Sequence, residues 1–89
     1  MSVHLTEDGR IALEGDSGLD DAEPLLLLIS ANSGASVDWR DCTGAHAAIL
    51  QILMASRAPL IGPPRSVYLS DVVEPALRRY NERGFPRAV

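Results

Sequence analysis

The chain has 89 residues, a formal net charge of −4 and a hydrophobic fraction of 46%, all ordinary for one small globular domain. The acidic balance disfavours nucleic acid as a partner, because phosphate backbones repel negative charge. No apolar run reaches the roughly 18 residues of a membrane span, and residues 1–10 lack the basic and apolar regions of a signal peptide. We therefore expect a cytoplasmic protein with no membrane partner. It should form a single domain over residues 1–89, with its core between 3 and 82 and a loose tail at 84–89.

Residues that bind metals or form disulfides are few. Cys42 is the one cysteine, so no internal disulfide can form, and only His4 and His46 could supply nitrogen ligands. No serine stands in a recognisable catalytic pattern, and no glycine-rich phosphate-binding loop is present. We predict a protein that is not an enzyme and that holds no metal and no cofactor.

The first third of the chain predicts a β-hairpin followed by a helix. An Asp-Gly turn between two short runs of alternating polarity is a strong hairpin signal. Acids and a proline at the head of an aliphatic run are typical of a first helical turn. The predicted segments, in order, are the strands Val3–Leu5 and Arg10–Leu13, a turn-rich stretch Glu14–Gly18 and the helix Leu19–Ala31.

The middle of the chain predicts a strand, an aliphatic helix and another strand. The helix is apolar around most of its circumference, so it either lies between layers or presents part of its surface to a partner. The predicted segments are the strand Ser36–Trp39, a connection Asp41–Gly44, the helix Ala45–Ser56 and the strand Pro59–Gly62.

A third, amphipathic helix ends the pattern. Its apolar stripe begins at Val67 or Ser70, and Pro75, about one turn inside, predicts either a later start or a kink. The order of elements is therefore β-β-α-β-α-β-α. This order predicts an α/β fold with a small, partly parallel open sheet of about four strands and three helices against it.

A family signal lies in residues 37–55, whose sequence is VDWRDCTGAHAAILQILMA. A strand that carries an acid, a short loop with a threonine and an aliphatic helix resemble the STAS domains, the family of anti-sigma factor antagonists. The resemblance covers roughly residues 10–80 and implies a STAS-like fold. By position, Asp38 matches the strand acid of the family and Thr43 matches its loop threonine.

The chain departs from this family at the regulatory position. His46 stands where the family usually has aspartate, Ala47 where it has the serine that is phosphorylated, and Ile49 where it has glycine. Alanine has no hydroxyl group. The resemblance therefore implies a domain without the usual serine phospho-switch.

The resemblance further implies a surface that binds another protein, such as a regulatory kinase, an anti-sigma factor or a receptor-type partner, in a bacterial signalling system. In the family this surface is the loop before the aliphatic helix and the first turns of that helix. A phosphate or acidic group could also be bound there by helix amides, near Gly44–Ala47. The equivalent partner-binding residues in this chain are Asp41, Thr43, His46, Ala47 and Leu50.

Two other functions stay open. The apolar excess of the second or third helix could make a homodimer of a self-associating structural subunit. His46 could serve a small phosphocarrier or enzyme, with Asp41 and Thr43 beside it, although a solvent-facing or capping histidine is the simpler interpretation.

Overall fold

The fold is taken from a computed structural model, which describes residues 2–83. These residues form five strands in an open sheet and three α-helices, the mixed α/β class that the sequence predicts. The tail predicted at 84–89 lies outside the described residues. The strands are β1 (Ser2–Leu5), β2 (Ile11–Ser17), β3 (Val37–Asp38), β4 (Cys42–Ala45) and β5 (Leu60–Ile61). The helices are α1 (Ala22–Ala31), α2 (Ala47–Ser56) and α3 (Glu74–Arg83).

The long strand β2 organises the sheet. It pairs antiparallel with β1, which confirms the predicted hairpin, and it pairs parallel with both β3 and β4. β5 extends the sheet beyond β3, again parallel. The hairpin turn is closed by hydrogen bonds from Thr6 N–H to Arg10 O at 2.7 Å and from Gly9 N–H to Thr6 O at 3.1 Å. Gly9 has a φ of +86°, which explains why the turn uses glycine there.

β3 and β4 are two halves of one interrupted strand. Ile11 N–H donates to Ser36 O and Gly15 N–H donates to Asp41 O, both at 2.9 Å. Amides at alternate positions of a strand point to the same side, so both halves pair with the same edge of β2, and the register shifts between them. The prediction of a plain connection at Asp41–Gly44 is therefore wrong, because pairing with β2 makes most of that segment a strand.

The stretch Glu14–Gly18 also differs from its prediction as a turn, because β2 continues through it to Ser17. Gly15 has a φ of +74°, and the pairing with β4 is irregular between Gly15 and Asp16. Turn-forming residues occupy a strand here because a neighbouring strand supplies partners for their backbone groups. Tertiary pairing overrides local propensity.

The three helices pack side by side, α1 against α2 and α2 against α3. The core lies between this layer and the sheet, where alternate strand residues point inward. Burial of each large aliphatic side chain contributes roughly 1.5 to 3 kcal/mol. The fully buried apolar residues are Ile11, Leu13, Leu25, Val37, Trp39, Cys42 and Ile49.

The opposite face of the sheet is polar, and its central feature is an ion-pair network around Asp38. The Asp38 carboxylate accepts from Arg10 Nη1 at 2.6 Å and from Arg40 Nη2 at 2.7 Å. Hydrogen bonding to Arg40 is the main cause that lowers the pKa of Asp38. Arg10 also contacts Asp8 of the hairpin turn at 2.9 Å, so the network links that turn to β3.

Gly62, directly after β5, lies close to two side chains. A Cβ on Gly62 would lie 3.0 Å from Trp39 Nε1 and would collide with the Glu74 carboxylate. Arg78 Nη2 contacts this carboxylate at 3.3 Å. Gly62, Trp39 and Glu74, the first residue of α3, therefore meet at this point.

The segment directly before α3 forms a wide helical turn. Leu69–Val73 is π-helical, with Glu74 N–H donating to Leu69 O. Pro75 has no N–H, and its ring crowds the carbonyl four residues earlier, a conflict that a π turn accommodates. The disturbance that the sequence predicts at Pro75 thus takes the form of a π-helical turn just before it.

Substitution of Asp38 by asparagine tests the network on the open face. We expect Asp38→Asn to lower the free energy of unfolding at neutral pH by about 2 kcal/mol, because charge-assisted hydrogen bonds to two arginines are lost. The folded state lowers the pKa of Asp38, so its stabilisation is present above the unfolded value of 3.8 and disappears as the pH falls below it. Urea denaturation from acid to neutral pH measures both effects.

Glu7→Gln is the matched control, because Glu7 is an exposed acid of the hairpin turn and should change stability little. If the free energy of unfolding of wild type and Asp38→Asn differed by the same amount at acid and neutral pH, the stabilising role of the network would be contradicted.

Candidate protein-contact site

The backbone at the end of β2 fixes where α2 begins. His46 N–H donates to Ser17 O at 2.8 Å, directly after β4 leaves its pairing with β2. The chain that leaves β2 forms a 3-10 turn, Leu19–Asp21, and this turn packs against α2. The starts of two helical segments therefore lie side by side at the carboxyl end of β2.

His46 is the N-cap of α2. Its backbone is extended, with φ −62° and ψ 152°, and its Nδ1 accepts from Ala48 N–H at 3.0 Å. This geometry requires Nδ1 to be unprotonated, since only the neutral ring has an acceptor nitrogen. The capping interpretation of His46 is confirmed, and the helix starts two residues later than predicted, at Ala47 instead of Ala45.

The predicted contact residues have different environments. Thr43, His46 and Ala47 are exposed and follow one another along the surface. Asp41 is exposed as well, and its carboxylate pairs with Arg65 at 3.2 Å. Leu50 is only half exposed and packs against the core. Four of the five predicted residues are therefore exposed, while Leu50 is partly buried and packs against the core.

Two features argue against binding of a phosphate or acidic group at this helix start. The amides of His46, Ala48 and Ile49 already donate to Ser17 O, His46 Nδ1 and His46 O respectively. In addition, the Asp16 carboxylate lies against Gly44, where an added Cβ would be 2.5 Å from Asp16 Oδ1. An anion at this helix start would meet three amides that already donate and the negative charge of Asp16.

Cys42 is a core residue. Its side chain is fully buried, and its thiol donates to Gly44 O at 3.1 Å. Burial raises the pKa of the Cys42 thiol, so its reactive thiolate form is disfavoured at neutral pH. These properties are those of a packing cysteine and not of a nucleophile.

Ser17 and Asp16 are the site residues that the sequence analysis misses. Ser17 is fully buried, and its Oγ has no hydrogen-bond partner among the described residues, while its carbonyl holds the start of α2. Asp16 covers Gly44. The period-two pattern Ile11, Leu13, Gly15, Ser17 continues the inward face of β2 and could have revealed the longer strand.

Within residues 2–83, no group of three His, Cys, Asp or Glu side chains is arranged to hold a metal ion. In the same part of the chain, no helix combines the length and apolar character needed to cross a membrane. Comparisons of the chain with protein-family models, with curated proteins and with solved structures find no match. The resemblance to STAS domains therefore stays a prediction from the sequence.

The Cys42 thiol should react with an aromatic disulfide reagent only after the chain unfolds. We expect a native rate at least about a hundredfold below the rate in concentrated guanidinium chloride, because the thiol is buried and its thiolate is disfavoured. Absorbance of the released thiolate measures both rates. Fast reaction of the native chain, with circular dichroism showing an intact fold, would contradict the buried position.

Removal of the cap tests the role of His46 in the fold. We expect His46→Ala to lower the free energy of unfolding by about 1 kcal/mol, because the Ala48 amide loses its acceptor. His46→Asn should retain most of the stability, since asparagine is a favourable N-cap residue. Thermal denaturation compares the variants, and equal stability of His46→Ala and wild type would show that the cap contributes nothing.

Proposed function

We propose that the chain is a non-catalytic protein-interaction domain, similar to anti-sigma factor antagonists, whose contact surface is the start of α2. The observation that carries the proposal is the exposure of Thr43, His46 and Ala47 on a rigid base. That base consists of the β4 pairing, the His46 cap and the bond from His46 N–H to Ser17 O. A preorganised surface loses little conformational entropy when a partner binds.

The surface next to the start of α2 also favours a protein as the partner. Leu19, in the 3-10 turn packed against α2, is 61% exposed. An exposed leucine in the turn that packs against α2, together with the exposed His46, supplies apolar and polar groups, the mixture that protein interfaces use. Three amides at the start of α2 already donate within the chain, which favours recognition through side chains.

The phosphocarrier alternative receives less support from the geometry. Asp41 pairs with Arg65 at 3.2 Å, and Nδ1 of His46 is engaged by Ala48 N–H. A phosphoacceptor histidine needs an adjacent group that orients its ring or takes its proton. The orienting contact of His46 is instead the cap of its own helix, a structural role.

The absence of a hydroxyl at Ala47 bears on regulation. In STAS domains the serine at the equivalent position is phosphorylated, and the added charge changes partner binding. Ala47 cannot carry a phosphate group. We infer a contact that is constitutive at this position, with a regulatory kinase, anti-sigma factor or receptor-type protein as the partner.

Ala47→Glu tests the surface without disturbing the fold. Ala47 is exposed in the first turn of α2, where the helix dipole favours an acid. We expect this variant to fold as wild type and to bind the partner at least about tenfold more weakly, a loss of about 1.4 kcal/mol. Affinity capture from a lysate of the source cells, followed by quantitative mass spectrometry, identifies the partner, and calorimetry measures the two affinities.

Ala76→Glu is the matched control, because it places the same residue on the exposed first turn of α3. The proposal requires one partner that wild type and Ala76→Glu retain equally and that Ala47→Glu loses. Retention by Ala47→Glu together with loss by Ala76→Glu would place the contact on α3 and overturn the proposal.

A further inference from the structure

The outer edge of β1 is an open edge of the sheet. β1 lies at one end of the strand order and, within residues 2–83, pairs with β2 alone. Proteins usually protect such an edge with a proline, a charged side chain, a bulge or a covering segment. β1 contains no proline and no Lys, Arg, Asp or Glu, and its register with β2 is regular from Ser2 to Leu5. The edge therefore has the features of a strand to which another strand can be added.

The alternation of hydrogen bonds identifies the open backbone groups of β1. Ile11 N–H donates to Ser36 O at 2.9 Å, so the backbone of Ile11 faces away from β1. Leu5 stands opposite Ile11 and is therefore not hydrogen-bonded to β2. Because bonded and non-bonded pairs alternate in an antiparallel ladder, His4 bonds to β2, whereas Val3 resembles Leu5. The N–H and C=O groups of Val3 and Leu5 consequently point outward, where only an extended backbone can pair with them in register.

Two β1 strands related by a two-fold axis satisfy these groups one for one. If His4 lies opposite its own copy, Val3 of each chain stands opposite Leu5 of the other, and each such pair exchanges two hydrogen bonds. The side chains match as well. Val3 packs against the core, and Leu5, on the same face of the strand, is 43% exposed. Each Leu5 would gain an apolar cross-strand neighbour, which stabilises a sheet.

The flank of α1 that is turned away from α2 carries no charge. α1 packs against β1 and against α2, and Leu26 and Ile29 line the side that faces α2. At 3.6 residues per turn, the opposite flank carries Pro24, Leu28 and Ala31. In a symmetric pair, a charge near the two-fold axis meets its own copy. These three uncharged residues let two copies of α1 lie side by side above the paired strands without such repulsion.

We propose that the chain forms a homodimer in which β1 of each copy pairs antiparallel with β1 of the other, so that the two sheets become one. An isologous contact needs a patch that complements itself. The outward backbone groups of Val3 and Leu5 meet this requirement, and they select a strand over a helix or a small molecule. The dimer goes beyond the proposed partner contact at the start of α2 and does not depend on it.

Sedimentation equilibrium of the full chain tests the dimer. The mass of wild type should rise with concentration from 9.6 kDa towards twice that value. Leu5→Lys should keep the monomer mass to at least about a tenfold higher concentration, because a charged edge residue opposes strand pairing. Val72→Lys is the matched control, since it places the same charge at an apolar position that is 55% exposed, away from β1, and it should associate as wild type does. Circular dichroism checks that each variant is folded.

A cysteine at the two-fold axis tests the pairing independently of Leu5. In the proposed register, the Cα atoms of His4 and its copy are about 4.5 Å apart, a distance that a disulfide can span. His4→Cys should therefore form a covalent dimer on mild oxidation. Glu14→Cys is the matched control, because Glu14 is similarly exposed and contacts His4, but lies one strand further from the axis. Its two copies would be about 14 Å apart, so it should cross-link at least about tenfold more slowly.

Three results would overturn the dimer. A wild-type mass of 9.6 kDa up to about 1 mM would leave the edge to a strand of another protein. A concentration-dependent mass that Leu5→Lys preserves and Val72→Lys abolishes would move the contact to the segment before α3. Equal cross-linking of His4→Cys and Glu14→Cys would contradict the pairing of β1 with its copy. None of these results affects the Ala47→Glu test, so the two proposals fail separately.

Discussion

The parallel pairing of β2 with the interrupted strand β3–β4 is the constraint on which the rest of the structure depends. It brings Trp39 and Cys42 into the core, and it directs the chain so that His46 N–H meets Ser17 O at 2.8 Å. Asp38, in the first half of that strand, lies with its two arginines on the polar face. One strand pairing therefore sets the core, the polar face and the start of α2.

The sheet separates two chemically different surfaces. Its open face is held by ion pairs, whereas the layer of helices on the other face exposes aliphatic side chains, among them Leu26 and Leu27. A small domain buries a modest fraction of its surface, so exposed leucines on the helix layer are a cost that binding can remove. The start of α2 belongs to that layer, which is why the proposed contact is with a protein.

The sequence predicts the fold class and the helices well, because hydrophobic periodicity and helix-end residues are local signals. Asn32 and Arg57 end α1 and α2 as expected, and Asp-Gly makes the hairpin. It predicts the strands less well. Residues 15–17 and 42–45 contain glycines, an aspartate and other turn formers. They become strands because they pair with each other across 27 or 28 positions of sequence, which local patterns do not reveal. The same limit applies to the site: the resemblance to STAS domains predicts Thr43 and Ala47 as contact residues, whereas the contact of the Asp16 carboxylate with Gly44 is not predicted by any local pattern.

Hydrogen–deuterium exchange of the chain with and without its captured partner is the most direct measurement of the central claim, that the start of α2 is the contact surface. The account predicts that the partner slows exchange of the backbone amides in the peptide spanning 42–50, while amides of the β1–β2 hairpin exchange as in the chain alone. The 3-10 turn Leu19–Asp21 should be protected with that peptide, because it packs against α2. Protection confined to α3 or to the hairpin, with unchanged exchange over 42–50, would contradict the account.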